Sequence, residues 1–191
     1  MPQSPLERLE AWSHDAREAG DPGRTAMVLT TVDGTGAPSS RVVLLKAVDH
    51  GEVVFGTSLK SRKGRELLAD PRVALVLFWP TLNRQVRIAG GARAGSRPES
   101  EALWASRGAD GKLVDLVSDE GAPLPEPERL ARDFAAAEAE HGAEPPCPDG
   151  WAAVRVRPDV VEFWSAGERR LAVRELYERE AGGWRVTRLQ P

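Results

Sequence analysis

The stretch Arg41-Val42-Val43-Leu44-Leu45-Lys46 is the most informative part of this 191-residue chain. It is a short apolar segment typical of a β-strand, and it has a cation at each end. In a regular strand Arg41 and Lys46 face opposite sides because their separation is odd, so both reach one ligand only if a bulge intervenes or the ligand wraps around the strand end. The alternative is two solvated strand ends, which is the more common outcome for such a pair.

A second group of cations follows at residues 61–63, Ser-Arg-Lys. Ser61 is a typical N-cap residue, so Arg62 and Lys63 are predicted in the first turn of a helix. Cations at this position oppose the helix dipole unless an anion lies among them. Together with the strand at 41–46, this pattern favours a pocket for a phosphorylated ligand, whereas two solvated side chains at a helix end are the alternative.

Composition limits the classes of protein to be considered. A net charge of -3 argues against a general nucleic-acid binder, so any phosphate site must be local. The single cysteine, Cys147, excludes an internal disulfide and is consistent with a reducing cytoplasm, where we expect the protein to act. No apolar run approaches the ~20 residues that span a bilayer, and residues 1–5 do not have the pattern of a signal peptide.

Secondary structure can be predicted along most of the chain. Ser4, Pro5 and Glu7 form a capping-box pattern for an N-terminal helix that Gly20 ends. Further helices are predicted at 61–69, 96–107 and 128–141, with a loop at 116–127 and a linker at 145–150. Strands are predicted at 26–32, 41–48, 52–57, 73–79, 84–93, 151–157, 160–164, 171–180 and 184–189, of which 73–79 is apolar on both faces and expected to be buried centrally.

This order of elements predicts a mainly β fold with flanking helices. Most strands are joined by short turns, which favours an antiparallel sheet, most simply closed into a barrel with helices packed outside. We expect one domain over residues 1–191, in which residues 1–20 form an N-terminal helix and residues 151–191 complete the barrel.

Several kinds of chemistry can be set aside from the sequence. The three histidines, His14, His50 and His141, are isolated and form no metal-binding spacing with Cys147. The sequence has no Gly-x-Ser-x-Gly elbow, no Walker loop and no Gly-x-Gly-x-x-Gly fingerprint. The remaining signal is the placement of cations. Arg170 and Arg174 add a further pair near the C-terminus, where strand alternation predicts that they share a face.

These motifs together resemble the pyridoxamine 5'-phosphate oxidase family of FMN-binding split β-barrels. The resemblance extends from Leu6 to Pro191, and the order and spacing of its motifs make it specific. The motifs are RVVLLK at 41–46, VFGT at 54–57, SRK at 61–63, NRQV at 83–86, VEFW at 161–164, RL at 170–171 and WRVTRLQP at 184–191.

The resemblance implies a homodimer with two FMN sites at the subunit interface, each with residues from both subunits. It implies an oxidase in which a hydride passes from the substrate to flavin N5 and dioxygen reoxidises the flavin to give hydrogen peroxide. The FMN phosphate is expected among Arg41, Arg62 and Lys63, and Lys46 and Arg170 are the expected catalytic residues. Substrate contacts are implied for Lys46, Arg107 and Arg170, and FMN contacts for Arg41, Val42, Val43, Leu44, Leu45, Lys46, Gly56, Thr57, Arg62, Lys63, Gln85, Trp164 and Arg174.

Departures from the family pattern leave the substrate open. Positions that hold substrate or FMN in vitamin B6 phosphate oxidases are here Leu103, Gly111, Glu120, Gly121 and Ala172. The default substrate is pyridoxamine or pyridoxine 5'-phosphate, and the alternative is a secondary metabolite, as in the phenazine-type oxidases, which share the short N-terminus and the C-terminal motif. A third hypothesis is a non-catalytic split barrel that binds flavin or another planar cofactor, such as haem or a deazaflavin.

Overall fold

A computed structural model of the protein describes residues 4–191. The first helix, α1, has the predicted capping box, in which the Ser4 hydroxyl accepts a hydrogen bond from the backbone N–H of Leu6 at 3.3 Å, and the Glu7 carboxylate accepts one from the backbone N–H of Ser4 at 3.2 Å. The helices are α1 Pro5–Glu18, α2 Arg62–Ala69, α3 Arg97–Ala105, α4 Ala109–Val117 and α5 Pro127–His141. The strands are β1 Ala26–Val32, β2 Pro38–Leu44, β3 Ala47–Asp49, β4 Glu52–Ser58, β5 Arg72–Trp79, β6 Arg84–Ala94, β7 Trp151–Ser165, β8 Val173–Glu180 and β9 Gly183–Leu189.

The strands form one antiparallel sheet in the order β2-β1-β5-β6-β7-β4-β3, and β8 and β9 extend it from β7. The two end strands of this order, β2 and β3, are consecutive in the chain and separated only by Leu45 and Lys46. The sheet therefore curls until its ends meet, with a core that includes Phe55, Trp79 and Phe163. The predicted mainly β, antiparallel architecture with flanking helices is confirmed, whereas the single-domain assignment of residues 1–191 stays a prediction, in which residues 1–3 lie outside the described part.

The prediction of one strand around residues 41–48 was wrong. The backbone N–H of Leu45 donates to Thr25 O at 2.7 Å, beside β1, whereas that of Lys46 donates to Val54 O at 2.9 Å, in β4. The chain therefore changes partner strand between these two residues, and the regular alternation of side chains ends there. Lys46 lies at the junction of the two sheet ends.

The prediction of separate strands at 151–157 and 160–164 was also wrong, because β7 runs through both segments. Gly90 of β6 pairs with Pro158 and its neighbour Ala89 pairs with Val160, which leaves Asp159 as the extra residue of a β-bulge. A Cβ atom on Gly90 would lie 2.1 Å from Arg157 O, so the close approach of the two strands at this bulge requires glycine.

Three smaller predictions also need correction. Helix α4 was not predicted, and it includes Leu116, which was assigned to a loop. Strand β8 begins at Val173, so Arg170 belongs to a short 3₁₀ turn, Glu168–Arg170, and does not alternate with Arg174 in a strand. Strand β5 alternates in burial, and Phe78 is 48% exposed, so in the single chain this strand is covered on one face only.

None of the helices in residues 4–191 has both the length and the apolar character needed to cross a membrane.

Candidate functional site

A cleft of about 180 Å³ lies where β2 and β4 meet the first turn of α2 and the segment around α4. It brings together eight residues that the sequence predicts at the site: Val42, Val43, Leu44, Lys46, Gly56, Thr57, Lys63 and Arg107. The cleft is also lined by Ser58, Asp115 and Glu120. Residues from both cation groups of the sequence, 41–46 and 61–63, thus meet in one place.

The position of α2 explains how Lys63 enters the cleft. The Ser61 hydroxyl caps the helix by accepting a hydrogen bond from the backbone N–H of Gly64 at 3.2 Å, as predicted. A Cβ atom on Gly64 would lie 2.5 Å from Leu59 Cα and from Ser58 O, so glycine lets the helix pack against the end of β4. The Lys63 side chain is 9% exposed and its ammonium group forms an ion pair with Glu120.

Arg41 and Arg62 are directed to a different carboxylate. Arg41 donates to Glu66 at 3.0 Å, and Arg62 Nε donates to the same carboxylate at 2.7 Å. Burial alone raises the pKa of the Glu66 carboxyl, but hydrogen bonds outweigh burial and lower that pKa from 4.5 to about 2; the donors are Thr31, Ser39, Arg62 and Arg41. Of the three cations predicted to surround the phosphate, only Lys63 lines the cleft, and Glu66 holds the other two side by side.

Arg107 is held rigidly at the other side of the cleft. It donates to the Asp115 carboxylate at 2.6 Å and to Gly111 O at 3.0 Å, and its guanidinium lies over the rings of Trp104 and Trp151. The Asp115 oxygen that accepts from Arg107 also accepts from Trp151 Nε1 at 2.9 Å.

Gly56 makes room for this arrangement. A Cβ atom at this position would lie 2.4 Å from Cζ2 of Trp151. The Trp151 ring therefore packs directly on the backbone of β4. In this position the ring contacts the Arg107 guanidinium, and its Nε1 donates to Asp115.

A second group of predicted residues lies elsewhere on the sheet. Gln85 pairs with Trp164, and Trp164 pairs with Arg174, so the three residues lie side by side on β6, β7 and β8. Arg174 donates to Glu162 at 2.8 Å, and the exposed Arg170 lies in the 3₁₀ turn just before β8, with a left-handed backbone (φ 65°). We call these four residues the distal group: Gln85, Trp164, Arg170 and Arg174.

The cleft and the distal group are far apart in one chain. Thr57 at the cleft pairs with Ala152, whereas Gln85 pairs with Trp164, twelve residues further along β7. At ~3.3 Å per residue this separation is about 40 Å as measured along β7, which curves with the sheet and contains the bulge at Asp159, and a mononucleotide is far shorter than this path. A single chain does not bring all the predicted FMN contacts together.

The remaining predicted contact, Leu45, has its side chain in the barrel core, 8% exposed. Its role in cofactor binding stays a prediction, as do the roles of the other predicted site residues.

Sequence reasoning missed Glu66 and Asp115. The position of Glu66, four residues after Arg62 on a predicted helix, was a usable signal for an ion pair. Asp115 gave no such signal, because helix α4, which brings it back towards Arg107, was not predicted. Within residues 4–191 no three His, Cys, Asp or Glu side chains are grouped so as to hold a metal ion.

Two family models match this chain. One, described as "Pyridoxamine 5'-phosphate oxidase", matches residues 14–165, and the other, "Pyridoxine 5'-phosphate oxidase C-terminal dimerisation region", matches residues 151–191. Curated relatives include pyridoxine/pyridoxamine 5'-phosphate oxidases of Gluconobacter oxydans, 40% identical over 98% of this chain and 94% of the relative, and of Rubrobacter xylanophilus, 43% identical over 98% of this chain and 87% of the relative.

Solved structures with the same fold include PhzG from Burkholderia lata in complex with tetrahydrophenazine-1-carboxylic acid. Its TM-score is 0.95 at 32% identity, with coverage of 100% of this chain and 94% of that one. A related FMN-binding protein from Nostoc punctiforme has a TM-score of 0.83 at 18% identity with full coverage of both chains, which shows the fold alone. The predicted split-barrel fold class is confirmed.

Proposed function

The chain belongs to the pyridoxamine 5'-phosphate oxidase family, and we propose that it is an FMN-dependent oxidase with cofactor sites shared between two subunits. The single observation that carries this proposal is the division of the predicted FMN contacts between the cleft and the distal group. The cleft residues line one cavity, and Gln85, Trp164 and Arg174 are neighbours on adjacent strands. The cleft and the distal group are nevertheless twelve residues apart along β7, too far for one cofactor to contact both in a single chain. A second copy of the chain that places its distal group at the cleft completes the site.

A homodimer has further support from an apolar surface. The outer face of β2, β1 and β5 exposes Val28, Val42, Leu44 and Phe78, each at least 41% exposed. These strands are neighbours in the sheet, so the four side chains share one region of surface. The C-terminal family model, whose description includes dimerisation, matches residues 151–191, which include Trp164, Arg170 and Arg174 of the distal group.

The residues at the cleft suit FMN. Among residues 4–191, β2 forms a strand ladder with β1 only, so its other edge can offer backbone groups to the polar edge of a flavin ring. Lys63 would hold the FMN phosphate together with Arg41 and Arg62, which lie outside the cleft lining. The Thr57 hydroxyl would donate a further hydrogen bond to FMN. In the distal group, Trp164 would supply an aromatic surface, and Gln85 and Arg174 hydrogen-bond donors.

When bound, FMN supplies hydride acceptance and reoxidation by dioxygen with release of hydrogen peroxide. The protein must orient the substrate, exclude water and stabilise negative charge. Lys46 is the cation best placed for the last task from the cleft side, because it is exposed and has no ion-pair partner within residues 4–191. Arg170 is the corresponding residue of the distal group.

The substrate remains between two classes. Pyridoxine or pyridoxamine 5'-phosphate follows from the names of the curated relatives. A planar secondary metabolite, as in the phenazine-type oxidases, follows from the likeness to PhzG, whose solved complex contains a tetrahydrophenazine carboxylic acid. Leu103 and Gly111 stand where the vitamin B6 phosphate oxidases have a tyrosine and a serine that bind the substrate phosphate. Neither side chain can form a hydrogen bond with a phosphate, which favours the second class.

The visible absorbance spectrum of the purified protein tests the cofactor proposal. We expect flavin bands, either as purified or after incubation with FMN. A colourless protein that takes up no FMN would contradict the proposal. Flavin bands with no peroxide from either substrate class under air would instead favour the non-catalytic flavin-binding alternative.

A further inference from the structure

The charges of the cleft are largely compensated within the chain. Three cations line it, and two carboxylates pair with two of them: Asp115 with Arg107, and Glu120 with Lys63. Lys46 is the one cleft cation without an ion-pair partner in residues 4–191. The cleft side of the site therefore offers a substrate one free positive charge, whereas a phosphate monoester carries up to two negative charges near neutral pH.

The Arg107–Asp115 pair is tightly built. Arg107 is 18% exposed, lies over two tryptophan rings and shares one Asp115 oxygen with Trp151 Nε1. The two hydrogen bonds, from Arg107 between α3 and α4 and from Trp151 in β7, fix the position of the carboxylate as well as that of the guanidinium. A phosphate approaching Arg107 must either displace this carboxylate or lie beside it, and like charges at such short range repel strongly.

We propose that Asp115 is a specificity-determining residue that occupies Arg107 and so directs the site to planar substrates without a phosphate group. Such a substrate carries at most one anionic group, which Lys46 pairs. This inference rests on the proposed function, because it assigns a substrate class to the same site.

The test measures binding with a pair of non-oxidisable analogues. The FMN-loaded protein is titrated by calorimetry with 4-deoxypyridoxine 5'-phosphate and with 4-deoxypyridoxine, which differ only in the phosphate. We expect the wild-type protein to bind the two within about threefold of each other. Binding of the phosphorylated analogue tenfold or more tightly than the other would overturn the proposal, and this comparison needs no variant.

Asp115→Asn isolates the charge. The amide oxygen can accept both hydrogen bonds that the carboxylate oxygen accepts, so the geometry is retained while the negative charge is lost. We expect the variant to bind the phosphorylated analogue at least tenfold more tightly than the wild type does, with little change for the unphosphorylated one. An unchanged ratio would overturn the proposal.

Asp110→Asn is the matched control. Asp110 is an exposed residue of the same helix, α4, outside the cleft, and its substitution removes the same charge from the chain. We expect the control to leave the ratio at its wild-type value, and a gain equal to that of Asp115→Asn would overturn the proposal. FMN uptake, measured by absorbance before the titration, tests the proposed function separately. If the protein takes up no FMN, the same titrations on cofactor-free protein still test the role of Asp115.

Discussion

At the scale of single residues, the acidic partners of the cations are as informative as the cations. The sequence predicts Arg41 and Arg62 at a phosphate site, but Glu66 holds both guanidiniums in the structure. Because two guanidiniums share one buried carboxylate, the group keeps a net positive charge, and its side chains need not be ordered when an anion arrives. Sequence reasoning found the cations from their local pattern, whereas Glu66 became visible only when β1, β2 and α2 were brought together.

Glu66→Gln should lower stability in a pH-dependent way. The folded-state pKa of Glu66, about 2, is below its ordinary value of 4.5, so its charge stabilises the fold fully above about pH 4.5. This contribution, at most about 3 kcal/mol, is lost as the pH falls towards 2. Urea unfolding of wild type and variant between pH 3 and 7 measures it, and we expect the difference between the two to shrink as the pH falls below about 4.5. A difference that is constant with pH would contradict the assigned role.

The cofactor and substrate cations can be distinguished by substitution. Replacing Arg62 and Lys63 together by alanine should weaken FMN binding far more than Arg107→Ala does, because Arg107 is engaged with Asp115 and lies on the substrate side. Fluorescence titration of FMN measures both dissociation constants. Equal losses would show that the division into cofactor and substrate cations is wrong.

At the scale of elements, local signals located the helices that carry a cap and the strands that end in turns. The capping residues Ser4 and Ser61 start α1 and α2 as predicted. Helix α4 was missed because its N-cap is Gly108, which makes no side-chain hydrogen bond. Pro158 and Asp159 look like the end of a strand, and only the pairing with Gly90 of β6 shows that β7 continues through a bulge.

The bulge gives a test with a matched control in the neighbouring residue. Gly90→Ala places a Cβ atom 2.1 Å from Arg157 O, which is backbone and cannot move freely, whereas a Cβ atom on Gly91 meets nothing within 4 Å. We expect Gly90→Ala to lower the free energy of unfolding by about 1–3 kcal/mol and Gly91→Ala to change it by less than about 0.5 kcal/mol. Urea unfolding at neutral pH compares them, and equal effects would contradict the close strand approach.

At the scale of the whole molecule, the sequence predicted the mainly β antiparallel architecture, and the structure adds the distance between the two parts of the site. The resemblance implied FMN sites with residues from both subunits, and pairing along β7 separates Thr57 at the cleft from Gln85 and Trp164 of the distal group. The sequence alone does not reveal this separation, since it depends on which strands pair and in which register.

The most direct test of a site shared between subunits is a heterodimer of two defective chains. One chain carries Arg62→Ala and Lys63→Ala at the cleft, and the other carries Gln85→Ala and Trp164→Ala in the distal group. Each homodimer should fail to bind FMN, with folding checked by thermal unfolding.

In the heterodimer, purified through two different affinity tags, one site combines the two intact groups and the other combines the two defective ones. FMN stoichiometry, measured by absorbance, should therefore be one FMN per heterodimer, half that of the wild-type dimer. A folded heterodimer that binds no FMN would contradict a site shared between subunits.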